Sequence, residues 1–183
     1  MKYYLGIILS VFVACNSLAQ TAIEKELLNQ LNIYRKGKGI GVVYRDEKLY
    51  QVALYHSRYL EKCAIVGHNT HYDKLPHDEQ FDIKDHKEMN TDLRAAMYPD
   101  GNMYGEISMQ SFIIDSTANV TKVCKSIIDQ FAGSPKHKEI MVTDFGDDNR
   151  LKPIVGISVI QVKCDIPGSY KYVVNIDFGV ITF

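Results

Sequence analysis

Leu49, Val52, Ala53, His56, Tyr59, Leu60 and Cys63 recur at spacings of three and four. An α-helix gathers that repeat onto one face, and no other regular structure does. Asp46 stands just before it, where an N-cap belongs. A helix with a single apolar stripe must bury it against another element, so this segment demands a layered fold. The partner layer is legible near the far end of the chain. Residues 154–162 and 171–180 read as strands joined across Pro167-Gly168, a hairpin-type connection. Val155, Ile157 and Val159 share one strand face, and Ile160 and Val162 share the other. Both faces are largely apolar, which predicts cover on both sides of the sheet.

Four further helical segments fit this plan. Residues 22–36 place Ile23, Leu27, Leu31 and Tyr34 on one stripe, with Leu28 beside them, and Gly37 and Gly39 stop the helix. Residues 120–131 align Val120, Val123, Cys124, Ile127, Ile128 and Phe131, with Asn119 or Thr117 as cap and Gly133 as the end. Ser134-Pro135 then opens a short helix, with Ser at the cap and Pro at the first helical position, where a missing N–H costs nothing. Residues 67–90 are polar and irregular, and residues 91–98 read as a short helix closed by the Pro99-Asp100-Gly101 turn. With no internal repeat and no low-complexity linker, residues 22–183 read as one domain.

The 183 residues carry 21 basic and 22 acidic side chains, a formal net charge of −1. That balance argues against nucleic acid as a partner, since phosphate-binding domains carry a basic excess. Lys2 and the apolar residues 3–14 match the n- and h-regions of a signal peptide, and the apolar run is too short to span a bilayer. Two cleavage readings stand. Ser17-Leu18-Ala19 suits signal peptidase, making 1–19 the signal peptide and the protein secreted, extracellular or periplasmic. Phe12-Val13-Ala14-Cys15 resembles a lipobox, making 1–14 a lipoprotein signal and Cys15 a membrane anchor. No later segment is apolar enough for a transmembrane helix. Past the signal, Cys63, Cys124 and Cys164 remain, an odd set that allows at most one intrachain disulfide and contains no CxxC motif.

Taken singly, the chemical groups are unspecific. The sequence has no Gly-rich phosphate loop, HExxH or GxSxG. His56 lies on an apolar stripe and reads as a hydrogen-bonded core histidine. His71, His77 and His86 fall in the polar stretch and read as solvated loop residues. His68 follows Gly67 at a helix-to-loop junction. Ser134 beside His137 reads as a helix cap rather than a nucleophile pair. Cys63 and Cys124 lie on buried stripes and read as unreactive thiols, while Cys164 near the hairpin tip reads as more exposed.

In sequence order, the motifs resemble the CAP superfamily, also called SCP/TAPS or the cysteine-rich secretory protein family, in its compact bacterial form. Leu31-Asn32-Ile33-Tyr34-Arg35 is similar to the family's N-x-x-R. Arg45-Asp46-Glu47-Lys48-Leu49 with Ala53, His56 and Ser57 resembles its D-x-x-L…A…H-S helix, and Gly67-His68 its G-H element. Residues 91–98 resemble the D-R-x-x-x-x-G-Y helix with Met97 in place of glycine. Gly105-Glu106-Ile107 resembles G-E-N with Ile107 in place of Asn. Phe131-Ala132-Gly133-Ser134-Pro135-Lys136-His137 resembles W-x-x-S-P-x-H with Phe131 for Trp. Residues 155–157 and 174–179 correspond to its two final strands. Animal members carry a second glutamate for which Asp129 is the nearest acid here, and their disulfide set is absent.

The resemblance implies an α+β fold, a three-layer α-β-α sandwich with a mostly antiparallel central sheet. It implies a surface cleft lined by His68, Glu106 and His137. Two neutral imidazoles and a carboxylate suit zinc or another divalent metal, and they can equally serve as acid and base on a substrate. No cofactor is required. Three functions stay open: a binding or interaction module for a small ligand, lipid or extracellular protein; a hydrolase of peptide or cell-wall material using Glu106, His68 and His137; and a structural extracellular protein.

Overall fold

The structure is a computed structural model, and it describes residues 22–63, 70–71, 88–89, 98, 101–114, 119–146, 150–165 and 169–183. The chain opens with helix α1, residues 22–36. Ile23, Leu27 and Leu31 form its buried stripe. It ends at the expected glycines: Gly37 N–H bonds Ile33 O at 3.0 Å, and Gly39 takes φ 75°, a conformation without strain only for a residue lacking Cβ. Asn32 then holds the outgoing chain by two bonds. Its Nδ2 donates to Val43 O at 3.0 Å and its Oδ1 accepts from Val43 N–H at 2.9 Å. The N-x-x-R pattern is thus structural at both ends, because Arg35, 1% exposed, donates to three backbone carbonyls: Gly41 at 2.7 Å, Met141 at 2.6 Å and Thr143 at 3.1 Å.

Strand β1 is Tyr44–Arg45, and helix α2 is Glu47–Cys63. Asp46 caps α2 as expected, its Oδ1 accepting from Leu49 N–H at 2.8 Å. Short strands β2 (Thr70–His71) and β3 (Glu88–Met89) pair antiparallel inside the stretch that reads as irregular. Strand β4 is Asn102–Ile114, helix α3 Val120–Gly133, helix α4 Pro135–Met141, strand β5 Leu151–Lys163 and strand β6 Ser169–Thr182. Asn119 is the cap of α3, accepting from Lys122 N–H at 2.9 Å. Ser134 makes no side-chain cap bond, contrary to its reading as a capping serine, and its carbonyl accepts from Lys138 N–H at 2.9 Å instead. The other residues of the 67–90 stretch, residues 91–97 of the short helix, and Pro167-Gly168 lie outside the described residues.

The main sheet has the order β1-β5-β6-β4. β6 pairs antiparallel with both β4 and β5, while β1 joins β5 in parallel. The expectation of a mostly antiparallel sheet is therefore corrected to a mixed one. The physical reason lies in the connection: a parallel pair needs a long crossover, and between β1 and β5 the chain passes through α2, β4, α3 and α4. β4 is absent from the sequence reading, although Glu106, Ser108 and Gln110 alternate there with Ile107 and Met109 at the period of a half-buried strand.

The strand faces differ in chemistry. Val155, Ile157, Val159, Tyr172, Val174, Ile176, Phe178 and Ile107 form one core with the α1 stripe and with Val123, Ile127 and Phe131 of α3. A smaller cluster joins Leu49 and Val52 of α2 to Ile154 and Tyr98. Between these apolar contacts, the face toward α2 is not apolar as the strand sequences suggest. It carries Gly156, Ser158, Asn175, Asp177, Glu106 and Ser108, all buried. Cys124 is buried and free, with its thiol pushed up to about 12 by burial, so it is protonated and inert as expected. Cys164 is half-buried and free. The side chain of Cys63 is outside the described residues.

Candidate functional site

The site grows from the alternation of β4. Gly105 lies under α4, where a Cβ would come within 2.7 Å of Ile140 Cγ2. Ile107 enters the main core. Glu106, between them, must emerge on the opposite side, and there it meets α2. His56 Nε2 lies 3.7 Å from Glu106 Oε1, with side chains 0% and 1% exposed. This is ion-pair range and longer than a hydrogen bond. Tyr59, one turn on, stacks parallel to the His56 ring, with centroids 6.2 Å apart.

The sheet register extends the cluster. Asp177 of β6 is the direct partner of Glu106, and Gly156 of β5 is the partner of Asp177. One row on, Ser108, Asn175 and Ser158 stand side by side, and Ser108 Oγ donates to Asn175 Oδ1. Asn175 Nδ2 and the hydroxyls of Ser57 and Ser158 have no hydrogen-bond partner among the described residues. Two ionised carboxylates directly opposite on neighbouring strands repel each other, and a protonated His56 beside Glu106 would be one group that offsets this. An imidazole with two carboxylates can hold or pass a proton. Among the described residues, no three His, Cys, Asp or Glu side chains converge closely enough to hold a metal ion.

The expected cleft residues fall out as follows. Glu106 is buried beside His56. His137 is half-buried in the first turn of α4, edge-on to Phe131 with ring centroids 5.4 Å apart and planes at 78°. Phe131 itself is 1% exposed, so the aromatic anchor of this motif is kept by the smaller ring. His68 lies outside the described residues, as do His77 and His86 and the side chain of His71. Asp129 is not at the site: its carboxylate is 59% exposed and pairs with Lys125 Nζ at 2.6 Å along α3. Two members escape the sequence reading. His56 is assigned there to the core alone, yet it adjoins Glu106. Asp177 is not singled out at all, although it and Asn175 are the polar pair, two residues apart, in the otherwise apolar run 173–180. Two polar residues at strand spacing mark one face as chemically different.

No family model matches the chain, and no curated protein matches it. Among solved structures it is similar to an outer surface protein from Borrelia burgdorferi, with TM-score 0.52 and 14% identity over 86% of this chain and 92% of that one. It is also similar to an extracellular protein containing a SCP domain from Bacillus anthracis, with TM-score 0.45 and 11% identity over 86% of this chain and 40% of that one. At these identities the likeness is one of fold. The chain shares its fold with the Borrelia protein.

Proposed function

We propose that the chain is an exported CAP-like domain, built in three layers, that acts as a binding module for a divalent metal or small ligand, with Glu106 at its site and His68 and His137 as the residues tested for a share in it. Packing of α2 on one side of the sheet, with α1 and α3 on the other, supports the layered reading. No helix among the described residues is long and apolar enough to cross a membrane. Export by residues 1–19, or anchoring through Cys15, accords with the outer surface protein among the structural likenesses.

The observation that carries the binding reading is Glu106. A carboxylate 4% exposed, with a second carboxylate across the sheet, is costly to bury unless a cation or proton shares its site. Zinc titration by calorimetry tests this. The wild-type chain is expected to bind, and His68→Ala, His137→Ala and Glu106→Gln each to remove binding while the apo melt stays almost unchanged. Binding is expected to weaken as histidines protonate below about pH 6.5. Absence of zinc binding in the wild type, or unfolding of both histidine variants, would sink the proposal.

One observation favours a second reading, a purely structural polar layer. His56 and Glu106 are both buried, and Ser108 is already bonded to Asn175. On that reading Glu106→Gln lowers the apo melt and no metal binds.

A further inference from the structure

We infer that the outer edge of β5, where it runs past the second half of α2, is a docking groove for an acidic, extended peptide segment that adds to the sheet as a strand. The inference is independent of any ligand at Glu106. β1 covers β5 only at Ile154 and Val155, and among the described residues no other strand lies on that side. Four features fix which β5 backbone groups point away from β6. Val155 O accepts from Asp46 N–H at 2.9 Å on the β1 side. Val159 N–H faces the Glu24 carboxylate of α1. Pro153, which has no N–H to give, has the same parity. At the opposite parity, Cys164 N–H bonds Ser169 O across the hairpin at 3.2 Å. Odd-numbered positions therefore face outward. Glu24 covers Val159, which leaves the N–H and C=O of Gln161 and Lys163 without a strand partner among the described residues.

A groove of about 630 Å³ lies against this edge. It is lined by four successive β5 residues, Ile160, Gln161, Val162 and Lys163. A groove over a sheet face would meet alternate residues, so successive ones place it along the backbone edge. Its other wall is α2, and its charged lining is Arg58, Lys62 and Lys163 against the single acid Glu61. Arg58 and Lys163 have no ion pair among the described residues. An exposed strand edge recruits an extended chain through main-chain bonds, and the cationic surplus selects an acidic one. Ile160 and Val162, both half-buried, offer apolar contact to alternate side chains of that segment.

The test uses the full chain and an eight-residue peptide of alternating threonine and glutamate. Controls are the threonine–lysine counterpart and the threonine–glutamate peptide N-methylated at every residue, which has no N–H left to pair. Fluorescence anisotropy is expected to show binding of the acidic peptide alone, weakening as salt is raised. Arg58→Glu with Lys163→Glu is expected to weaken it at least tenfold. Gln161→Pro removes an outward N–H and leaves the β6 ladder intact, so it is expected to weaken binding at least tenfold with the melt shifted by only a few degrees. Equal binding of both charges, unchanged affinity in the double variant, or full affinity of the N-methylated peptide overturns the proposal. So does the case in which no peptide binds but the chain self-associates and Gln161→Pro abolishes it, because the occupant is then a second copy.

Discussion

Glu24 shows how one side chain can make a folded protein sensitive to pH. It is 2% exposed on α1, with Arg45 Nη1 3.5 Å from its Oε2. Burial pushes its pKa up from 4.5 to about 7, against the opposing pull of Arg45 and of the Val159 N–H. The folded chain therefore keeps a proton that the unfolded chain has lost between pH 4.5 and 7. Stability from this group is complete at the acid end of that window and declines as pH rises through it. The expected decline is about 3 kcal/mol, by the conversion of pKa shift to free energy. Denaturant melts at pH 5 and pH 8 should show it in the wild type and a much flatter profile in Glu24→Gln; parallel profiles would contradict the assignment. Phe131 is the other informative residue. Its stripe position predicts burial, and it is 1% exposed in the main core. Phe131→Ala is expected to cost about 3–5 kcal/mol, and a loss well under 1 kcal/mol would misplace the core. The difference in legibility between these residues is physical. An apolar stripe announces Phe131, whereas nothing local distinguishes the buried Glu24 from half-buried Glu26 two positions on.

At the scale of elements, α2 and β5 meet at very close quarters. A Cβ on Gly156 would lie 2.2 Å from the carbonyl carbon and oxygen of Leu49 and 2.5 Å from Tyr50 N. The obstacle is backbone, so no side chain can swing away. Gly156→Ala must lift the first turn of α2 from the sheet, and a cost of at least about 2–3 kcal/mol is expected from overpacking. Gly133→Ala is the control, since open space surrounds that position and the residue is helical. It should be neutral or stabilising by up to about 1 kcal/mol. A Gly156→Ala midpoint equal to wild type in denaturant would mean that α2 does not rest on this strand. The long helices were legible because three- and four-residue spacing is unambiguous over a dozen positions. β4 was not, because its alternation is broken by Gly105 and mixes polar with apolar residues along its length, a pattern weaker than the apolar runs of β5 and β6. Those strands extend beyond their expected ends because Pro153 and Ser169 are tolerated where hydrogen bonding does not exclude them.

Over the whole molecule, the layered α+β fold was legible from two helix stripes and a strand pair, and the mixed sheet was not. A parallel neighbour only two residues long leaves no pattern in sequence. Of the candidate site, Glu106 was singled out only as a member of an ordered motif set. Asp177 and His56 join Glu106 through sheet register and helix packing, which no linear spacing encodes. Register has a further consequence, in the order in which the chain is made. β6 follows every one of its partners in sequence yet lies between β4 and β5. A nascent chain that has emerged only as far as Lys163 holds two long strands with no partner to join them. α1 and the start of β1 wait equally for β5. Synthesis thus produces helices that can form early and a sheet that can close only when its central strand arrives, so the domain is expected to gain its stability in one late step rather than piece by piece behind the ribosome.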